Sequence, residues 1–187
     1  MPILPREPDL FPETLLSDEH RWTQGDAQWW AIYTMSRREK DLMRRLTAME
    51  IPFCAPLVKR RTRSASGRTR TSHVPLFAGY VFLLGDNDQR QQALTTNCVS
   101  KCLAVPDPEI LVRDLFRIKQ LIDSDVPLTP EAKLTTGAPV RVVSGVLAGV
   151  EGVVIQRRGR EHLLVAVEFL QQGASVLLED VAVEPVS

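Results

Sequence analysis

Apolar and polar positions follow two different rhythms along this chain. From Gln28, the run Trp29-Trp30-Ala31-Ile32-Tyr33-Thr34 is aromatic, β-branched and short, the make-up of a well-buried strand. Ser36 ends it. Ser36 followed three residues later by Glu39 reads as a capping box, in which hydroxyl and carboxylate satisfy the free N–H groups of a helix start. Leu42, Leu46 and Met49 then recur at helical spacing as a core stripe, and Arg37, Arg38, Arg44 and Arg45 fall outside it. Residues 52–58 predict a second strand and residues 75–84 a third, ending at Gly85. Between them, residues 59–70 carry a Ser/Gly tip flanked by Arg and Thr, the pattern of a long hairpin in solvent. Residues 88–94 predict a short helix, 99–105 a fourth strand, and 108–123 a further helix with Pro108 near its first turn. The order β-α-β-β-α-β-α describes an α+β fold of ferredoxin-like type, with helices on one face of an antiparallel sheet.

The rhythm changes after residue 124. Residues 125–136, with Pro127 and Pro130 and few apolar positions, read as a linker. Beyond them, 140–143, 152–156, 163–169, 175–178 and 181–183 are short β-rich runs separated by Gly or polar turns. Five such strands are expected to close into a small β-barrel, which removes exposed edges. Alternation such as Val165-Ala166-Val167-Glu168-Phe169 favours strand over helix here. At the other end, residues 1–27 are rich in proline and acid without a sustained period, and are expected to form a flexible acidic extension.

Charge sharpens this division. The formal net charge is zero, yet residues 1–26 hold six acids against two bases, and residues 51–85 hold six Lys or Arg and no acid. Local positive charge of that kind suits a phosphate-bearing partner. The cations are Lys59, Arg60, Arg61, Arg63, Arg68 and Arg70. No apolar run approaches a bilayer span, and the N-terminus lacks the pattern of an export signal, so a cytoplasmic protein is expected. Cys54, Cys98 and Cys102 form no CxxC pair and are read as reduced thiols rather than metal ligands. His20, His73 and His162 sit in no spacing that marks a triad or a metal motif. The reading is therefore of a binding protein without catalytic residues or cofactor.

The most specific stretch is Val140-Arg141-Val142-Val143-Ser144-Gly145-Val146-Leu147-Ala148-Gly149-Val150-Glu151-Gly152-Val153-Val154. It resembles a KOW motif: a strand, a glycine-bounded turn, a glycine at Gly152 and a second strand. Gly145 and Gly149 can take positive φ, and Gly152 leaves room for close backbone approach. Ahead of it come Trp29-Trp30-Ala31-Ile32-Tyr33-Thr34, Glu39, Pro56 and Val74-Pro75-Leu76-Phe77-Ala78-Gly79-Tyr80-Val81-Phe82. That order resembles the NusG family of transcription elongation factors, over residues 28–187. Among its branches, the specialised antiterminators related to RfaH, including those of polysaccharide operons, look closest. Trp30 stands where the family usually has tyrosine, and Ala78 where it usually has proline.

The resemblance implies an NGN-type domain over residues 28–124 and an SH3-like KOW barrel over residues 137–187. It implies that Tyr33, Phe77, Tyr80 and Phe82 contribute to an apolar depression that docks on the clamp helices of RNA polymerase. Arg37, Arg38, Arg44 and Arg45, with the hairpin cations, would contact upstream DNA or the non-template strand, giving affinity more than sequence choice. The KOW barrel would recruit a small-subunit ribosomal protein or Rho. Two other readings remain: an RNA- or ribosome-binding KOW protein, and the housekeeping elongation factor in place of an operon-specific paralogue. A monomer is expected.

Overall fold

The computed structural model describes residues 6–18, 25–65, 67–179 and 181–186. The chain divides into two compact units, Met1–Pro108 and Glu109–Ser187. The first is built on a five-stranded antiparallel sheet. Its strands are β1 (Leu10–Phe11), β2 (Gln28–Thr34), β3 (Phe53–Cys54), β6 (Tyr80–Gly85) and β7 (Val99–Ala104), in the order β1-β3-β6-β2-β7. A separate two-stranded hairpin is formed by β4 (Leu57–Arg63) and β5 (Thr69–Pro75). Helices α1 (Glu39–Ala48) and α2 (Asn87–Leu94) complete the unit.

Period-two alternation in β2 splits its side chains between two faces. Ile32 faces the core with Leu42, Met43 and Leu46 of α1, Phe53, Val81, Leu83 and Ala93, and Trp30 packs against that cluster. On the other face, Trp29 pairs with Leu84, Ala31 with Phe82 and Tyr33 with Tyr80. Burying apolar side chains on both faces drives the assembly of the sheet. Met49, expected in the α1 stripe, is instead the helix C-cap and is exposed, while Met43 takes the core position.

Several expectations are corrected. The capping box at Ser36 does not form: the α1 N-cap is Arg38, without a side-chain capping bond, and Arg37 takes φ 61 ahead of it. A complete box does form at α2, where Asp86 accepts from the Gln89 amide at 2.8 Å and Gln89 accepts from the Asp86 amide at 3.0 Å. The single strand expected over 52–58 is two, Phe53–Cys54 in the main sheet and Leu57–Arg63 in the hairpin. The strand expected over 75–84 is likewise interrupted by a turn, because Gly79 takes φ 84. The acidic extension is ordered over part of its length: Leu10 and Phe11 pair with Cys54 and Phe53, and Leu15 and Leu16 are buried. Four apolar side chains seeking cover outweigh a polar composition.

The second unit contains α3 (Pro108–Asp123, all but its first residue) and six strands. These are β8 (Thr129–Glu131), β9 (Pro139–Val142), β10 (Glu151–Arg157), β11 (Arg160–Val167), β12 (Gln172–Leu177) and β13 (Val183–Pro185), ordered β13-β9-β10-β11-β12-β8 and all antiparallel. All five expected strands are present, but the sheet is not a closed barrel: among the described residues no pairing joins β13 to β8. The extra strand arises inside the expected linker. Thr129–Glu131 covers the edge of β12, and Pro130 is tolerated because an edge strand can do without that N–H. Glu131 also accepts the hydroxyl of fully buried Ser175 at 2.6 Å.

Candidate protein-binding and nucleic-acid-binding surfaces

Tyr33 is the penultimate residue of β2, at a register shift against β7 between Tyr33 and Thr34. Such bulges re-aim side chains at strand ends. The Tyr33 side chain is 43% exposed, and its ring meets Tyr80 at 5.2 Å between centroids, tilted by 58°. Phe77 and Phe82, expected at the same surface, are 2% and 0% exposed. They lie in the packed interior. Exposed apolar side chains near the tyrosines in the sheet include Met35, just past the end of β2, and Leu103, which pairs with Ala31.

The turn that delivers Tyr80 is fastened at Gly79. Its N–H donates to Glu39 Oε1 at 2.8 Å, and its carbonyl accepts from Thr34 N at 2.8 Å. A Cβ on Gly79 would come within 2.9 Å of the Tyr33 ring. Glu39, read from sequence as half of a capping box, thus ties the first turn of α1 to the tyrosine pair. Sequence separation of 40 residues hid this contact. Trp30 has its own anchor: its indole N–H donates to the Gly85 carbonyl at 3.1 Å, and the Arg90 guanidinium lies 5.0 Å from its ring centroid.

The hairpin register runs from Leu57 opposite Pro75 to Arg63 opposite Thr69. The tip is tied by Ser64 N to Arg68 O at 2.9 Å. Alternation puts Lys59, Arg61 and Arg63 on one face, with Arg60 and Arg70 on the other and Arg68 in the tip. All six are exposed, and Arg60, Arg61, Arg63, Arg68 and Arg70 make no ion pair among the described residues. Both faces of this projection can meet phosphate.

The α1 arginines differ. Arg38 and Arg45 bind Asp41 at 2.9 and 3.2 Å, and Arg44 binds Glu7 at 2.7 Å; only Arg37 among the four makes no ion pair among the described residues. Desolvation opposes ionisation of Asp41, but hydrogen bonds from Arg45, Arg38 and Cys98 hold its pKa below the ordinary carboxylate value. Charge that looks unopposed in sequence is thus largely paired in space.

In the second unit, Gly145 and Gly149 take φ 78 and 87, and the turn is closed by Gly149 N to Val142 O at 2.8 Å. At Gly152, a Cβ would stand 2.5 Å from the Leu164 carbonyl, so only glycine allows β10 this close to β11. The turn holds Val146 75% exposed, with Val143 and Val183 also exposed nearby. The small apolar loop legible in the sequence between Gly145 and Gly149 is thus presented to solvent at Val146. Among the described residues no group of His, Cys, Asp or Glu gathers to hold a metal, and no helix is long and apolar enough to cross a membrane.

Residues 27–116 match the family model NusG, described as transcription termination factor nusG. Over that segment the chain is similar to the NusG family. The NusG domain so defined includes the tyrosine pair, the Glu39 tie and the whole basic hairpin. No curated protein matches the chain. The glycine-bounded turn of residues 145–152 lies outside the matched segment.

Proposed function

We propose that this chain is a transcription elongation and antitermination factor that binds RNA polymerase through its NusG domain. The observation that carries the reading is the Tyr33–Tyr80 pair, with Tyr33 exposed and Tyr80 half-buried, held by Gly79 and Glu39 inside residues matched to NusG. Aromatic anchors of this kind suit a helical partner, here the clamp helices of the polymerase. Phe77 holds the start of the tyrosine strand, its carbonyl accepting from Tyr80 N at 3.1 Å. A bridge that fits only the closed clamp favours that state by its differential binding, and so disfavours pausing or termination.

The hairpin cations Lys59, Arg60, Arg61, Arg63, Arg68 and Arg70 contact upstream DNA or the non-template strand through phosphate, and Arg37 extends that path. Residues 137–187 act as a KOW domain whose apolar tip at Val146 recruits a second protein, a small-subunit ribosomal protein or Rho. The acidic N-terminal segment and the strength of the basic hairpin favour a specialised paralogue related to RfaH over the housekeeping factor. The factor works by binding, as a monomer and without a cofactor.

A single-round elongation assay with purified polymerase tests the reading. Longer transcripts and fewer pauses at saturating protein are expected; unchanged pausing and read-through sink it. Affinity capture separates the ribosomal alternative, which predicts ribosomal RNA without polymerase subunits.

A further inference from the structure

The acidic N-terminal arm lies on the basic face of α1. Glu7 reaches Arg44 Nη1 at 2.7 Å and Lys40 Nζ at 3.2 Å, and its own side chain is only 10% exposed. The arm is held downstream of Glu7: Ala55 N donates to Asp9 O at 2.7 Å, Leu10 pairs with Cys54, and the Phe11 and Phe53 rings stack at 6.3 Å. Residues 6–8 belong to no strand, so no ladder pairing of β1 depends on where the Glu7 carboxylate sits.

Lys40 also lies close enough to the hairpin base for its charge to act on His73. His73 pairs with Lys59 at the hairpin base, on the face that carries Arg61 and Arg63. Desolvation, followed by the charges of Arg6, Lys40 and Lys59, pushes the His73 pKa down; Asp9 partly opposes this. Cations from the arm, α1 and the hairpin therefore converge on one locality. A guanidinium beside an ammonium binds a phosphate by the same charge-assisted hydrogen bonds that it gives a carboxylate. The cations of both pairs keep a solvent-facing side, with Lys40 and Arg44 36% and 50% exposed, so an incoming phosphate can reach them.

We propose that Lys40 and Arg44 form a seat for a phosphodiester of single-stranded nucleic acid, and that the chain's own Glu7 occupies this seat in the free protein. The inference rests on the reading that α1 and the hairpin face nucleic acid. Glu7 acts as an internal competitor: a strand already engaged by the hairpin displaces it, and weak, non-productive binding elsewhere does not.

The test uses the full-length protein and a labelled single-stranded DNA oligonucleotide of mixed sequence, with anisotropy followed across a salt series. Glu7→Gln is expected to bind roughly threefold to tenfold tighter at low salt, with a salt slope steeper by about 0.7 for each cation released. Glu13→Gln removes the same charge from an exposed position on the same segment and is expected to change nothing. Adding Arg44→Gln to Glu7→Gln is expected to remove the gain. Unchanged affinity and slope in Glu7→Gln, or an equal gain in Glu13→Gln, overturns the proposal. The hairpin is read separately: if Glu7→Gln is silent while Arg60→Gln with Arg61→Gln and Arg63→Gln weakens binding, the competitor is lost but the nucleic-acid reading stands. If that triple variant binds like the unaltered protein, the reading of the hairpin fails instead. No binding by any of these proteins overturns both.

Discussion

At the scale of single residues, Glu39 and Gly79 have more consequence than their exposure suggests. Gly79 combines positive φ with a ring 2.9 Å from its missing Cβ. Gly79→Ala is expected to cost about 1 to 3 kcal/mol in a denaturant titration followed by tryptophan fluorescence, and to weaken polymerase retention. Glu39→Gln keeps an acceptor for the Gly79 N–H, whereas Glu39→Ala leaves it to solvent. Amide exchange at Gly79 is therefore expected to quicken in Glu39→Ala and to change little in Glu39→Gln. His73 supplies a pH signature. Its folded-state pKa lies below the ordinary 6.5, so the unfolded chain takes up the proton first as pH falls. Its contribution to stability is whole above pH 6.5 and is lost as pH falls from there through the folded value. Lys40→Gln removes one of the charges responsible and is expected to move the His73 titration upward in ring-proton NMR.

At the scale of elements, the hairpin and α1 both carry several basic residues and differ in what surrounds them. The hairpin strands have no acid among their residues, while α1 carries Asp41 and receives Glu7 from another segment. Replacing Arg60, Arg61 and Arg63 by Gln is expected to reduce the salt slope of single-strand binding by about 2, at about 0.7 per phosphate contact. The short β8 is a second case. Glu131 joins it to Ser175 of β12 and to Arg157 of β10. Glu131→Ala leaves a fully buried hydroxyl unpaired, and a cost of about 1 to 3 kcal/mol is expected. Because the sequence holds no tryptophan after Trp30, none falls within the second unit, and amide exchange across Gln172–Leu177 is the measurement that sees it. Residue 131 is a linker position by composition; it becomes a strand position because β12 offers an unpaired edge.

At the scale of the whole molecule, the two compact units present different chemistry. The first offers aromatic side chains and exposed hairpin arginines, and the second an apolar turn tip. Tyr33→Ala with Tyr80→Ala is expected to abolish co-purification with polymerase. Val146→Glu is expected to leave that association intact and to abolish the second partner's capture on the polymerase-bound factor. Loss of both activities in either variant would contradict the division of labour. The boundary between units also differs from the composition-based one: α3, from Glu109 onward, groups with the C-terminal sheet, where Asp114 accepts the Glu168 amide at 3.0 Å and Arg117 pairs with Glu151.

Local patterning alone determined the elements of this protein: the aromatic β2 run, the stripe of α1, the span of α3 and the five C-terminal strands were legible because period-two and period-3.6 burial are written in neighbouring residues. The glycine roles at Gly145, Gly149 and Gly152 were legible for the same reason. Only tertiary structure decided which partner each polar group took. Glu39 faces Gly79, Glu7 faces Lys40 and Arg44, and Glu131 faces Ser175 because carboxylates seek donors across folds of the chain that no local period records. The same holds for Phe77 and Phe82, whose type fits either a surface or a core, and whose burial depended on what the sheet packed against them.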